Sequence, residues 1–263
     1  MEVAAQQLEP PPDLADEAYR SPLDLHMAAL AAVCACRDGE LVPGHDDLSG
    51  YLLNHERRCW GDDDSAIIEQ TVFVATLFGP AGDRTAARDL LRRAVLADGD
   101  AMAEKILTRH GNPYPPWSSA TDRNIEILPP LRPDRLGEDF VAQCLAEQHS
   151  RTRLHALLVN GTTLGAVTIR RSLTVLAAAA TRNNDARDAL LTAMRDAPIL
   201  AGRAPTAIQC VIDHADPTLA ATVYDHYPNS APNFCDPLPT LPNALRTTHR
   251  PAQTGPERII SMS

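Results

Sequence analysis

The sequence predicts a mainly α fold: a helical bundle, then a winged-helix-like unit with a small β wing, then a helical connector of paired helices. Three features carry that expectation. Apolar residues recur at helical spacing in one segment after another between Ser21 and Tyr227. Capping residues open those segments and Gly or Pro closes them. The 22 prolines gather between the segments and near the C-terminus, where they act as punctuation.

Residues 1–20 are acidic, carry Pro10, Pro11 and Pro12 in succession, and read as a linker. Ser21 can cap the first helix, Pro22 suits its first position, Asp24 completes a Ser-x-x-Asp box and Gly39 can stop it. From Leu25 to Cys36 no residue is charged, and Leu23, Met27, Leu30 and Cys34 recur beside alanines on the other faces. A helix apolar all round wants cover on every side, so this one is expected at the centre of a lid-like bundle over 21–61, with a partner covering any face left open. A second helix, opened by Asp46 or Asp47, reaches Trp60 and places Leu48, Tyr51, Leu52, His55 and Cys59 on one face.

The winged-helix-like unit is expected over 62–150. Asp62, Asp63 and Asp64 put acid at the start of a helix that runs to Phe78, ahead of Gly79 and Pro80. Thr71, Val72, Phe73 and Val74 are β-prone, but the flanking caps and the length favour helix. Asp83 opens a helix through Ala97, and Ala101–His110 forms a shorter one. After Pro113, Pro115 and Pro116, the alternation from Asn124 to Leu128 suits a short strand before Pro129 and Pro130. Pro133–Gln148 is helical again. The connector, 151–227, reads as helices near Leu154–Val159, Val167–Thr181, Asp185–Leu200, Thr206–Ala215 and Pro217–His226, with no fixed repeat period. Residues 228–263 are Pro-rich, and a disordered tail is expected.

Composition narrows the function. The 263 residues hold 34 acidic against 24 basic side chains, a net charge of −10 that repels phosphate backbones, so nucleic acid is disfavoured as a partner. No apolar run nears the roughly 18 residues of a bilayer span, so no membrane partner is expected. The acidic start lacks a basic-then-apolar leader, which predicts a cytoplasmic chain with reduced thiols. Abundant Ala and a single lysine, Lys105, fit a GC-rich bacterial coding sequence.

No catalytic constellation assembles, and the chain is expected not to be an enzyme. A P-loop needs a Lys after its glycines to cradle phosphates. The one lysine lies in a helix, and Gly79-Pro80-Ala81-Gly82 reads as a turn. His55-Glu56-Arg57-Arg58-Cys59 is one substitution from the His-Glu-x-x-His zinc motif, but no further ligand pair is near, so His55 and Cys59 read as structural. Cys34 and Cys36 stand about 200° apart around a helix and read as buried small residues. No Gly-x-Ser-x-Gly elbow occurs, and Asp62–Asp64 reads as a helix-capping run. The one basic stripe is Arg84, Arg88 and Arg92, one turn apart, with Arg93 beside the last. Ten basic residues face eleven acidic ones between Asp83 and Arg151, which favours a solvated, ion-paired face over a DNA-binding or other contact surface.

Three stretches together carry a resemblance: Ser21–Val33, Asp47–Trp60 and Leu131–Val141. In that order they resemble the part of bacterial STAND-class NTPases, relatives of NB-ARC and NACHT proteins, that follows the nucleotide-hydrolysing core and precedes tetratricopeptide repeats. Ser172–Tyr227, with Leu173–Ala180 and Val223–Pro228, is similar to the helical connector there. The resemblance implies a lid, a winged helix and a connector that relay nucleotide state to a repeat sensor. It places the family's Gly-x-Pro lid motif at Arg20-Ser21-Pro22, with Pro22 near the adenine and Arg20 where the family has Gly. The chain lacks both the P-loop core and the repeats. The implied role is a non-catalytic regulatory or scaffold fragment that acts through protein contacts, without a cofactor, with a separately encoded NTPase core or repeat domain as the candidate partner. The alternatives are a weak ATP or ADP lid that works with such a core, and a DNA-binding winged-helix regulator.

Overall fold

A computed structural model describes residues 21–61, 65–115, 126–159, 164–197 and 200. The chain divides at Tyr227 into two units; every described residue lies in the first, Met1–His226. The linker 1–20, the helices expected after Leu200 and the tail 228–263 lie outside the described residues.

The described residues are mainly helical. In order they form α1 (Pro22–Asp38), a 3-10 turn (His45–Asp47), α2 (Leu48–Trp60), α3 (Ser65–Phe78), α4 (Arg84–Arg93), α5 (Asp100–Gly111), α6 (Asp134–Leu145), α7 (Gln148–Val159), α8 (Ala166–Ala180) and α9 (Asn184–Asp196). The borders of α1 follow its sequence signals. The Ser21 hydroxyl accepts from the Leu23 N–H at 3.2 Å, Pro22 takes the first position, and Gly39 ends the helix at φ 69°, a left-handed conformation that costs glycine little.

The sequence reading puts the centre of the bundle at Leu25–Cys36; the structure puts it at α3. Every residue from Gln70 to Gly79 is buried, and α3 packs against α2, α4, α5, α6 and α8. The reason is side-chain size. α3 carries Ile68, Val72, Phe73, Val74, Leu77 and Phe78 around its whole circumference, and burying each is worth roughly 1.5–3 kcal/mol. The apolar character of α1 is largely alanine, so one side against α2 satisfies it: Met27, Ala28, Ala31, Cys34 and Ala35 are buried.

Central burial obliges α3 to satisfy its polar groups. The Thr71 hydroxyl donates to the Ile67 carbonyl at 2.7 Å, and the Thr76 hydroxyl accepts from the Leu131 N–H at 3.2 Å. Gln70 meets His149 Nε2 at 2.7 Å, Ser150 at 3.4 Å, and Arg153, whose Nε also donates to the Ala94 carbonyl at 2.8 Å. Two glycines allow close approaches to α3 and to the turn after it. A Cβ on Gly137 of α6 would lie 2.9 Å from Thr76 Cγ2 and 3.0 Å from the Leu131 carbonyl oxygen, and one on Gly79 would lie 2.3 Å from the Leu128 carbonyl oxygen.

Three expected elements end differently. α4 stops at Arg93 instead of Ala97, because Leu96 N–H bonds the Leu91 carbonyl and Val95 N–H the Arg92 carbonyl, both at 3.0 Å, in a Schellman turn with Val95 at φ 55°. The strand expected over Asn124–Leu128 is, among the described residues, one antiparallel bridge: Ala81 N–H to the Ile127 carbonyl at 2.7 Å and Ile127 N–H to the Ala81 carbonyl at 3.1 Å. Pro129 and Pro130 supply no N–H to lengthen it. The helix expected to reach Gln148 breaks after Leu145, where Arg151 Nε donates to the Leu145 carbonyl at 2.5 Å while its Nη2 meets Asp185 at 2.5 Å. The boundary expected at 150/151 therefore falls inside α7. α8 and α9 form a hairpin, with the Asn183 side chain accepting from the Ala186 N–H at 3.1 Å, and α8 also packs on α3 and α6.

Candidate functional site

The outward side of α1 is apolar and open. Leu25, Ala29 and Val33 lie one turn apart along it, all exposed, with Val33 at 63%, and Leu41 and Val42 follow beyond Gly39 with Leu41 at 88%. Pro22 sits exposed at the start of this face. Arg20 lies outside the described residues.

Where α1 meets α2, a polar corner forms behind that face. His55 is buried, and its Nδ1 lies 3.2 Å from Asp38 Oδ2. Its Nε2 accepts from Arg37 Nη2 at 2.8 Å and stands 4.0 Å from Cys59 Sγ. Arg58 Nη1 meets Glu40 Oε1 at 2.7 Å. The Arg37 hydrogen bond holds the Asp38 carboxyl below the usual carboxylate range, and Arg58 does the same to Glu40. Burial pushes the Cys34 thiol up. His55 and Cys59 thus share a helix face as their spacing indicates, while the structure adds Asp38, which no sequence motif links to them. Cys34 is buried as expected of a small apolar residue, but Cys36, its expected companion, is exposed, because α1 has only one covered side. Cys34, Cys36, Cys59 and Cys144 are free thiols, and no group of three or more His, Cys, Asp or Glu among the described residues is placed to hold a metal ion.

The arginine stripe is engaged within the fold. Arg84 Nε meets Glu104 Oε2 at 3.2 Å, Arg88 Nε lies 3.6 Å from Glu104 Oε1, and Arg92 pairs with Asp89 and with Asp100 Oδ1 at 3.3 Å. Arg93 borders a shallow cleft of about 220 Å³ with Pro80, Asp89 and Gly165. α4 is therefore tied to α5 through its basic face.

Two further groups of polar residues do not assemble chemistry. A cleft of about 350 Å³ between α7 and α9 is lined by Arg151, Thr152, His155, Asp188, Thr192 and Asp196; His155 Nε2 meets Asp196 Oδ2 at 2.6 Å and Arg151 meets Asp185. The Thr152 hydroxyl donates to the Gln148 carbonyl at 3.0 Å. Below α2, the Trp60 indole donates to the Tyr114 hydroxyl at 2.8 Å, and that hydroxyl donates to Glu56 Oε2 at 2.7 Å. The His110 ring lies 5.0 Å from the Tyr114 ring, and burial pushes the His110 imidazole down to about 4. These contacts fasten the turn after α5 to α2. No protein-family model, curated protein or solved structure significantly matches the chain.

Proposed function

We propose that the chain is a non-catalytic regulatory or scaffold protein that works through protein contacts in the bacterial cytoplasm. Its role is similar to that of the lid, winged-helix and connector region of a STAND-type ATPase. The observation that carries this reading is the open face of α1, where Leu25, Ala29 and Val33 present apolar surface at helical spacing with no charged residue among them. Contiguous apolar surface of that kind is the usual mark of a partner contact. The partner is a separately encoded P-loop core, whose own apolar surface takes the place that the adjoining domain holds in the resembled proteins. The charges of the α4 stripe are spent on Glu104, Asp89 and Asp100, which supports a protein-contact reading over duplex binding. No helix among the described residues is long and apolar enough to cross a membrane.

The experiment pairs the purified chain with a P-loop ATPase core encoded in a neighbouring reading frame. Association is measured by sedimentation velocity, with Val33→Glu and Leu25→Glu as probes of α1. Both positions are exposed, so the variants keep the fold and its far-UV circular dichroism. The reading requires association that these variants weaken at least about tenfold. Association unchanged in both, or none with such a core, sinks it.

A further inference from the structure

We propose that the open face of α1 is a self-association surface: a second copy of this chain covers it, helix against antiparallel helix, in a weak two-fold dimer that parts before another protein can dock there. This rests on the reading of α1 as a contact face and adds what governs access to that face.

The exposed residues of α1 are arranged symmetrically about one small residue. Ala29 stands at the middle of the face, Leu25 and Val33 lie four residues to either side of it and Pro22 and Cys36 seven, and all five are exposed. At 100° per residue the four flanking positions fall within about 40° of Ala29 around the helix. The buried set, Met27, Ala28, Ala31, Cys34 and Ala35, takes the other side, against α2. A two-fold contact requires that residue i of one copy meet residue j of the other while j meets i. Turned end for end about Ala29, the face of α1 meets itself on those terms. Leu25 comes beside the second copy's Val33, Pro22 beside its Cys36, and Ala29 beside its own counterpart, where a small side chain lets the helices approach. Leu25 at 38% and Val33 at 63% exposed have apolar surface left to bury.

Charge permits the pairing and sets its direction. The chain carries a net charge of −10, so two copies repel wherever their charged surfaces meet. From Leu25 to Cys36 no residue is charged, and two copies can join there without bringing like charges together. α1 has an acidic residue in its first turn, Asp24, and a basic one in its last, Arg37, whose side chain is 63% exposed. A parallel pair would set like ends beside like, whereas an antiparallel pair alternates these charges and the helix macrodipoles with them.

Size makes the dimer weak. The 17 residues of α1 span about 25 Å, and five side chains from one helix bury less than the roughly 800 Å² per partner of a standard interface. A dissociation constant on the order of 10–100 µM follows. Such a cover exchanges readily and yields to a partner that binds α1 more tightly.

The test uses the full chain alone, in reducing buffer, so its failure leaves the contact with a P-loop core to be judged separately, and absence of a core contact leaves the dimer standing. Sedimentation equilibrium over about 5–500 µM is expected to show the average mass rising from 28.5 kDa towards twice that value. Val33→Glu, at an exposed position, is expected to raise the dissociation constant at least about tenfold while circular dichroism stays unchanged. Register is read by cross-linking: on oxidation with diamide, Ala29→Cys is expected to link to its own counterpart, identified by peptide mass spectrometry. The Cys36 thiols of an antiparallel pair stand about 21 Å apart and are expected not to link to each other. A chain that remains at 28.5 kDa throughout overturns the proposal, as does a dimer that Val33→Glu leaves intact. Linkage of Cys36 to Cys36 in the unaltered chain, with none through Ala29→Cys, overturns the antiparallel arrangement and the proposal with it.

Discussion

Lowering the pH from 7 to 4 is predicted to weaken the fold through one residue, His110. The imidazole is 2% exposed, lies against the Tyr114 ring, and is pushed by burial from its ordinary 6.5 down to about 4. The folded chain therefore resists a proton that the unfolded chain accepts. The associated stability is fully present above pH 6.5, erodes as the unfolded imidazole titrates, and is gone once the pH reaches about 4. A gap of about 2.5 units at 1.36 kcal/mol per unit corresponds to about 3 kcal/mol. With an m-value of roughly 1–3 kcal/mol/M, the urea midpoint falls by about 1–3 M between pH 7 and pH 4 from this group alone. The assay is urea unfolding followed by circular dichroism at pH 7, 6, 5 and 4, on the chain and on His110→Leu, which cannot titrate. The stability of the wild type relative to His110→Leu should fall by about 3 kcal/mol between pH 7 and pH 4. Parallel loss in both proteins would falsify the claim that the buried imidazole carries this dependence.

Three further substitutions test the packing. Val95 holds a left-handed conformation at φ 55° while 80% exposed, so Val95→Gly is predicted to raise stability by about 1 kcal/mol in thermal unfolding, and a loss would contradict the strain at that turn. Gly137→Ala brings a Cβ to 2.9 Å from Thr76 Cγ2 and 3.0 Å from a backbone oxygen, so it is expected to cost about 1–3 kcal/mol in urea unfolding; no change would mean the α3–α6 crossing is looser than the structure places it. Glu104→Ala releases Arg84 and Arg88 from an exposed network, so a small drop in the thermal midpoint is expected that shrinks in about 1 M salt; a drop that salt leaves unchanged would contradict an electrostatic tie.

The sequence was most legible where chemistry is local. Ser21, Pro22 and Gly39 set the ends of α1, and α9 starts at Asn184, one residue before the expected Asp185. It was least legible where size or distant contacts decide. Apolar spacing in Leu25–Cys36 and in α3 looks alike, yet only α3 has bulk on every side to repay central burial. Thr71–Val74 is β-prone by itself, yet the caps and length around it point to helix, and α3 bears that out. The stop at Val95 carries no glycine to announce it, and the break after Leu145 depends on Arg151, six residues on. His55 and Cys59 were visible as a spaced pair; Asp38 was not, because the α1–α2 packing alone brings it to the imidazole.

Phosphate release from ATP by the purified chain, followed across a size-exclusion peak, tests most directly whether this protein works by contact instead of catalysis. The account predicts release no greater than that of a buffer blank at every fraction. Turnover that tracks the protein through the peak would contradict it.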